Sequence, residues 1–121
     1  MDKRRPHKNL DLWKKAMDFV VTVYEVTNSL PREEEFGLKS QLRRAAVSVP
    51  SNIAEGLTRN SKKDKLHFLN MARASLSETD AQLEICQRLG FLEQSQADRT
   101  DEVMVEVEML LSGLARKLKE S

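Results

Sequence analysis

Residues 10–30 read LDLWKKAMDFVVTVYEVTNSL, and this stretch decides the fold. Leu12, Ala16, Phe19, Val23, Val26 and Leu30 step by four and three residues. Leu10, Trp13, Met17, Val20 and Tyr24 do the same. Such steps return to one face of a helix, so each series is an apolar stripe. A helix on the surface of a bundle needs one stripe about 100° wide. Two adjoining stripes predict burial on two sides, inside the chain's own bundle and against another copy. The spacing alone does not say which stripe turns inward. Trp13, Met17, Val20 and Tyr24 are the candidate oligomer interface. A generously buried helix in a monomer is the plainer alternative.

The rest of the chain repeats the helical pattern. Pro31 ends the first segment. A second carries Phe36, Leu38, Leu42, Ala45, Val49, Ile53 and Leu57. Pro50 falls inside it, removing the bond to the Ala46 carbonyl and crowding that turn. The apolar face continues through Ile53 and Leu57, so the expectation is a helix kinked at Pro50, not broken there. Glu33-Glu34-Glu35 then reads as first-turn acid that complements this helix's dipole. Ser61-Lys62-Lys63-Asp64 looks like a capping box opening a third helix. Leu69, Ala72, Leu76, Thr79, Leu83 and Cys86 form its stripe. Gly90 is placed to cap it in the left-handed conformation, with Phe91 folding back. Ser95-Gln96-Ala97-Asp98 repeats the start signal, followed by the stripe Met104, Val107, Leu111, Leu114 and Leu118. Short connections make neighbouring helices antiparallel. The fold expected is all-α: an up-down-up-down four-helix bundle over residues 10–119, preceded by a basic, flexible tail over residues 1–9.

Composition agrees. The chain has 121 residues, one domain's worth, with 40% hydrophobic and 32% charged side chains. Only four Gly and three Pro punctuate it, too few for the turns of a sandwich or barrel. The single cysteine, Cys86, rules out an intrachain disulfide and a cysteine-based zinc site. No apolar run approaches the ~18 residues of a membrane span. The basic start is not followed by an apolar stretch, because Asp11, Lys14 and Lys15 interrupt it, so no signal peptide is expected. A reducing cytoplasm is the expected compartment.

Few residues suggest catalysis. Metal sites in bundles usually need inward Glu residues and two Glu-x-x-His pairs. This chain has only His7 and His67, and no Glu-x-x-His. Asp64 and His67 are spaced as a pair but read as solvated first-turn residues. There is no Gly-rich phosphate loop, and Ser48, Ser51 and Ser75 have no spacing that joins them to a histidine and an acid. Cys86 lies on an apolar stripe and reads as a small core residue. No catalytic residue, metal or cofactor is expected.

Charge placement says more. Up-down topology brings the N-terminal segment, the second interhelical loop and the C-terminus to one end. Residues 1–15, 56–70 and 110–121 together hold thirteen basic and four acidic side chains, a local charge of +9 in a chain of net +1. The remainder carries −8, so the molecule is a charge dipole. Lys117 and Lys119 suit a helix C-terminus. Lys62 and Lys63 do not suit the first turn of a helix, where the dipole disfavours cations. A position that breaks a local rule is a candidate functional site. Free amides at a helix N-terminus among Lys and Arg bind phosphate well. Arg59, Lys62, Lys63 and Lys65, assisted by Arg4 and Arg5, are the candidate nucleic-acid contacts. A hydrated, solubilising loop is the bland alternative. No aromatic residues interleave with the basic ones, so any contact should read backbone and shape, not sequence.

Three stretches also resemble a known family. Leu12-Trp13-Lys14-Lys15-Ala16-Met17, with Leu30-Pro31, Glu34 and Phe36-Gly37-Leu38, is similar to its opening. Gln41-Leu42-Arg43-Arg44-Ala45-Ala46-Val47-Ser48-Val49-Pro50-Ser51-Asn52-Ile53-Ala54-Glu55-Gly56 is similar to its central signature. The run from Phe68 to Glu78 follows in register, with Ala74 where the family often has Gly. The family is the four-helix bundle proteins encoded in intervening sequences of bacterial 23S ribosomal RNA genes. The likeness spans roughly residues 9–92 and is general in helix four. It implies a homopentamer and a cytoplasmic protein of poorly defined role, and it supplies no catalytic residues. The accessory proteins of diversity-generating retroelements are more distantly similar; they bind nucleic acid and a reverse transcriptase. The expected function is a non-enzymatic oligomer that binds RNA or DNA backbone through its basic end. The alternative is a protein-interaction scaffold that docks a partner protein on the acidic end or the outer grooves.

Overall fold

The computed structural model describes residues 5–121. Four helices form the chain: α1 (Asp11–Thr27), α2 (Leu38–Leu57), α3 (Lys62–Arg88) and α4 (Gln94–Glu120). There is no strand among the described residues. α1 packs on α2 and α4, and α3 packs on the same two, so α1 and α3 share one diagonal of an antiparallel bundle. The longest helices have 27 residues, about 40 Å at 1.5 Å per residue.

The stripe that begins at Leu12 turns inward. Leu12, Ala16, Phe19, Val23, Val26 and Leu30 are all buried. They meet Leu42, Val49 and Ile53 of α2, Leu69, Leu76 and Cys86 of α3, and Met104, Val107 and Leu111 of α4. Four threonines are buried with this core, and each hydroxyl is satisfied one turn back along its own helix; Thr22 donates to the Asp18 carbonyl at 2.8 Å. Thr27 donates to the Val23 carbonyl at 2.7 Å, Thr79 to Ser75 at 2.9 Å and Thr100 to Gln96 at 2.8 Å. On the surface, Lys15 pairs with Glu106 at 2.8 Å and Arg99 pairs with Glu25, clasping α1 to α4 at two levels.

Burial pushes the Cys86 thiol above its ordinary value, with a further push from the Glu34 carboxylate. A buried thiol has little thiolate to react. Cys86 should therefore resist a disulfide reagent such as DTNB in the native state and react promptly in denaturant. Prompt native reaction would place the residue outside the core.

α2 runs unbroken through Pro50, as its apolar face required. Neighbouring side chains bond the carbonyls of this turn: Ser48 donates to Ala45 at 2.8 Å, Ser51 to Val47 at 2.9 Å and Asn52 to Ser48 at 2.8 Å. Gly90 has φ +78 and closes α3 in the left-handed conformation; the Phe91 amide reaches back to the Cys86 carbonyl at 2.8 Å. Ser61 caps α3 by accepting the Asp64 amide at 3.1 Å.

Two helix starts differ from expectation. Phe36 is not on the α2 stripe: Arg32–Glu34 form a separate 3-10 turn, α2 begins after Gly37, and Phe36 is 95% exposed. The three glutamates are thus outside the first turn of α2. Glu34 nevertheless serves that end, because its carboxylate accepts the Leu38 amide at 3.1 Å. The second difference is the start of α4. Glu93 is the cap, not Ser95: its side chain accepts the Gln96 amide, while Gln96 Oε1 accepts the Glu93 amide at 2.9 Å. This reciprocal box satisfies two amides, and it leaves Ser95 inside the first turn.

Candidate nucleic-acid interface

The basic end is built around a four-residue connection, Thr58-Arg59-Asn60-Ser61, between α2 and α3. Gly56 makes the tight approach possible. A Cβ there would lie 3.0 Å from Phe68 Cβ and 3.3 Å from the Lys65 carbonyl, so the two helices close on each other where a side chain would hold them apart. Arg59 pairs with Glu55 at 2.8 Å and lies 4.7 Å over the Phe68 ring. Lys65 reaches back to the Leu57 carbonyl at 3.4 Å, placing a cation at the C-terminus of α2. Lys62 donates to the Ser121 carbonyl at the end of α4. That bond gives Lys62 a structural partner that the sequence did not reveal. It also shows the α2–α3 loop and the α4 terminus meeting at one end. Lys63 is exposed in the same turn, and Arg116, Lys117 and Lys119 are exposed on the last turns of α4.

α1 starts at this end. Pro6–Asn9, inside the segment expected to be a tail, form a 3-10 turn. The His7 ring stands edge-on to Trp13 at 4.7 Å. Arg5 and Lys8 are exposed there. Arg4 lies outside the described residues. Asp64 and His67 are both exposed, the His67 ring is edge-on to Phe68 at 5.3 Å, and no metal-holding group of three acids, histidines or cysteines occurs among the described residues.

The candidate oligomer residues lie on the flank of α1 beside α2: Met17 and Tyr24 are exposed, whereas Trp13 and Val20 are half-buried against the core. Trp13, Met17 and Val20 line a shallow groove with Val47, Pro50 and Ala54 of α2. Tyr24 lies one turn further along, beside Arg43. Arg43 is the residue that sequence reasoning missed. Its guanidinium sits 4.3 Å over the Tyr24 ring and donates to Thr27 Oγ1 at 3.0 Å, the Tyr24 carbonyl at 3.1 Å and Asn28 Oδ1 at 3.0 Å. One side chain of α2 thereby binds the C-terminus of α1 through its carbonyl, its dipole and an aromatic face. Arg43→Ala should lower stability by about 2 kcal/mol, and Arg43→Lys should recover little, because an ammonium lacks the planar fork. Thermal melts of the two variants check this.

Four antiparallel helices with a cationic end and an apolar outer face define an all-α bundle. The chain belongs to the family described as 23S rRNA-intervening sequence protein, whose model it matches over residues 8–113. It is also similar to a solved protein of unknown function from the S23 ribosomal protein family of Bacteroides thetaiotaomicron VPI-5482. The two share 25% identity over 86% of this chain and 97% of that one, with a TM-score of 0.79. No curated protein matches the chain. No helix among the described residues is long and apolar enough to cross a membrane.

Proposed function

We propose that this chain is a non-enzymatic, oligomeric helical bundle that binds RNA or DNA through backbone phosphates at its basic end, in the cytoplasm. The observation that carries the reading is the Lys62–Ser121 contact, which puts the cations of the α2–α3 loop beside those of the α4 terminus. Ser61 takes the Asp64 amide, and the Lys62 and Lys63 amides of the same turn open among these cations, the donors of an anion site. Binding to phosphate positions a nucleic acid without reading its bases. The outward α1 stripe, with Met17 41% exposed, supports assembly of copies through Trp13, Met17, Val20 and Tyr24. The family resemblance implies five copies, and cyclic symmetry would repeat the basic end on one face, deepening the field.

Anisotropy of labelled duplexes at ~50 mM salt tests the function. Two unrelated sequences should bind with similar affinity; no binding would overturn the reading. Light scattering tests the assembly, with a mass of five chains expected and a monomer at micromolar concentration contradicting it.

A further inference from the structure

We propose that the groove between α3 and α4 docks a basic amphipathic helix of a partner protein. Leu76 and Met104 floor this groove, Val105 and Met109 form its α4 wall, and Asp80 and Asp101 stand on its rim. The surface is separate from the basic end, and the proposal does not rest on nucleic-acid binding.

Three observations point to this occupant. The first is apolar exposure. Met109 is 69% exposed and Val105 48% exposed on a helix that already has a complete inward stripe. A β-branched valine on a solvent-facing helix position has no local reason, since it lowers helix propensity. The second is charge. The neighbouring cation Arg73 is taken by Glu108 at 3.3 Å. Asp80 and Asp101 make no ion pair or side-chain hydrogen bond among the described residues. Two carboxylates without partners on an apolar rim call for cations that arrive with an apolar surface. The third is size. The groove holds about 240 Å³, below the ~300–1,000 Å³ of small-molecule sites, and is suited to a few side chains of a helix laid along it. Methionine walls adapt to whichever apolar side chains enter.

The antiparallel packing sets an orientation. Asp80 and Asp101 lie toward the end of the bundle where α3 stops and α4 starts, and Met109 lies toward the basic end. The partner helix should therefore place Lys or Arg about one turn from its apolar anchors, on the Asp80 and Asp101 side.

The test uses the full chain and a fluorescein-labelled amphipathic peptide of Leu and Lys, about 18 residues or five turns long. A second peptide carries Glu in place of Lys. Anisotropy should show saturable binding of the Leu/Lys peptide, and hydrogen exchange should slow in the α3 and α4 segments that line the groove. The Asp80→Asn/Asp101→Asn variant should bind about tenfold more weakly. Met109→Gln should weaken binding without changing the thermal melt, because Met109 is exposed. Glu33→Gln/Glu35→Gln, which removes acid elsewhere, should leave binding unchanged. Equal binding of the Leu/Glu peptide, protection outside the groove, or indifference to both groove variants would overturn the proposal. So would a smaller assembly for Met109→Gln in the absence of peptide, because the occupant would then be a second copy.

Discussion

Replacing Lys62 and Lys63 together with glutamate is expected to weaken binding to duplex DNA about sixtyfold at ~0.1 M salt. Each phosphate contact contributes a slope of about −0.9 in log affinity against log salt. Between ~1 M and ~0.1 M salt, one contact is therefore worth about eightfold and two about sixtyfold. The slope of the double variant should be shallower by about 1.8, on every sequence alike. Folding should survive. Acid in the first turn of α3 complements the helix dipole by about 0.3–1 kcal/mol, set against the loss of one exposed hydrogen bond from Lys62 to Ser121. Lys63→Glu alone keeps that tie and should lose about eightfold. Anisotropy titrations with circular dichroism melts separate the two effects. If the double variant binds as the parent does, the cations of this end are a solvated surface only.

Phe19→Ala should cost about 3–5 kcal/mol, a large share of the ~5–15 kcal/mol that holds a domain folded. Phe19 is fully buried at the centre of the inward stripe, and the cavity it leaves is bounded by helices that cannot all close on it. Met17→Ala, two residues away, removes a side chain of the outward stripe. It should cost under ~1 kcal/mol in the dissociated chain, while weakening assembly. Urea unfolding at several protein concentrations distinguishes the two. The Phe19 variant should fall at every concentration, and the Met17 variant should chiefly lose the concentration dependence that assembly confers. Equal losses for both would mean that the two stripes of α1 are not divided between core and surface.

The contrast between those residues shows what was legible in the sequence. Two stripes could be read on α1, because spacing reports faces. Spacing does not report which face has partners. The inward stripe proved to be the one without a polar edge, Leu12 through Leu30. The stripe left outside holds Trp13 and Tyr24, whose ring nitrogen and hydroxyl suit a partly wet position. Helix starts were harder. A glutamate at the cap of α4 is not among the preferred capping residues, so Ser95 drew the boundary two residues late. The start of α2 depended on Glu34 reaching across Gly37 to the Leu38 amide four residues on, a local contact with no periodic signature.

The candidate site was legible as topology. Short connections in an even-numbered bundle force the cationic segments to one end, and the charge count followed from that. Individual partners were not legible. Lys62 broke a local rule because it serves the end of α4, nearly the whole of helices three and four away in sequence. Arg43 binds residues 15 to 19 positions earlier, and nothing in the helical spacing of α2 marks it.

The most direct measurement of the basic-end reading is hydrogen exchange of the full chain with and without a bound duplex. The first amides of a helix lack intrahelical partners and exchange readily unless a ligand takes them. Binding through phosphate at this end should slow exchange over residues 58–66 and the last turns of α4, and should leave residues 91–102 at the opposite end unchanged. Slowing confined to residues 31–37 and 91–102, with the α3 first turn untouched, would contradict it.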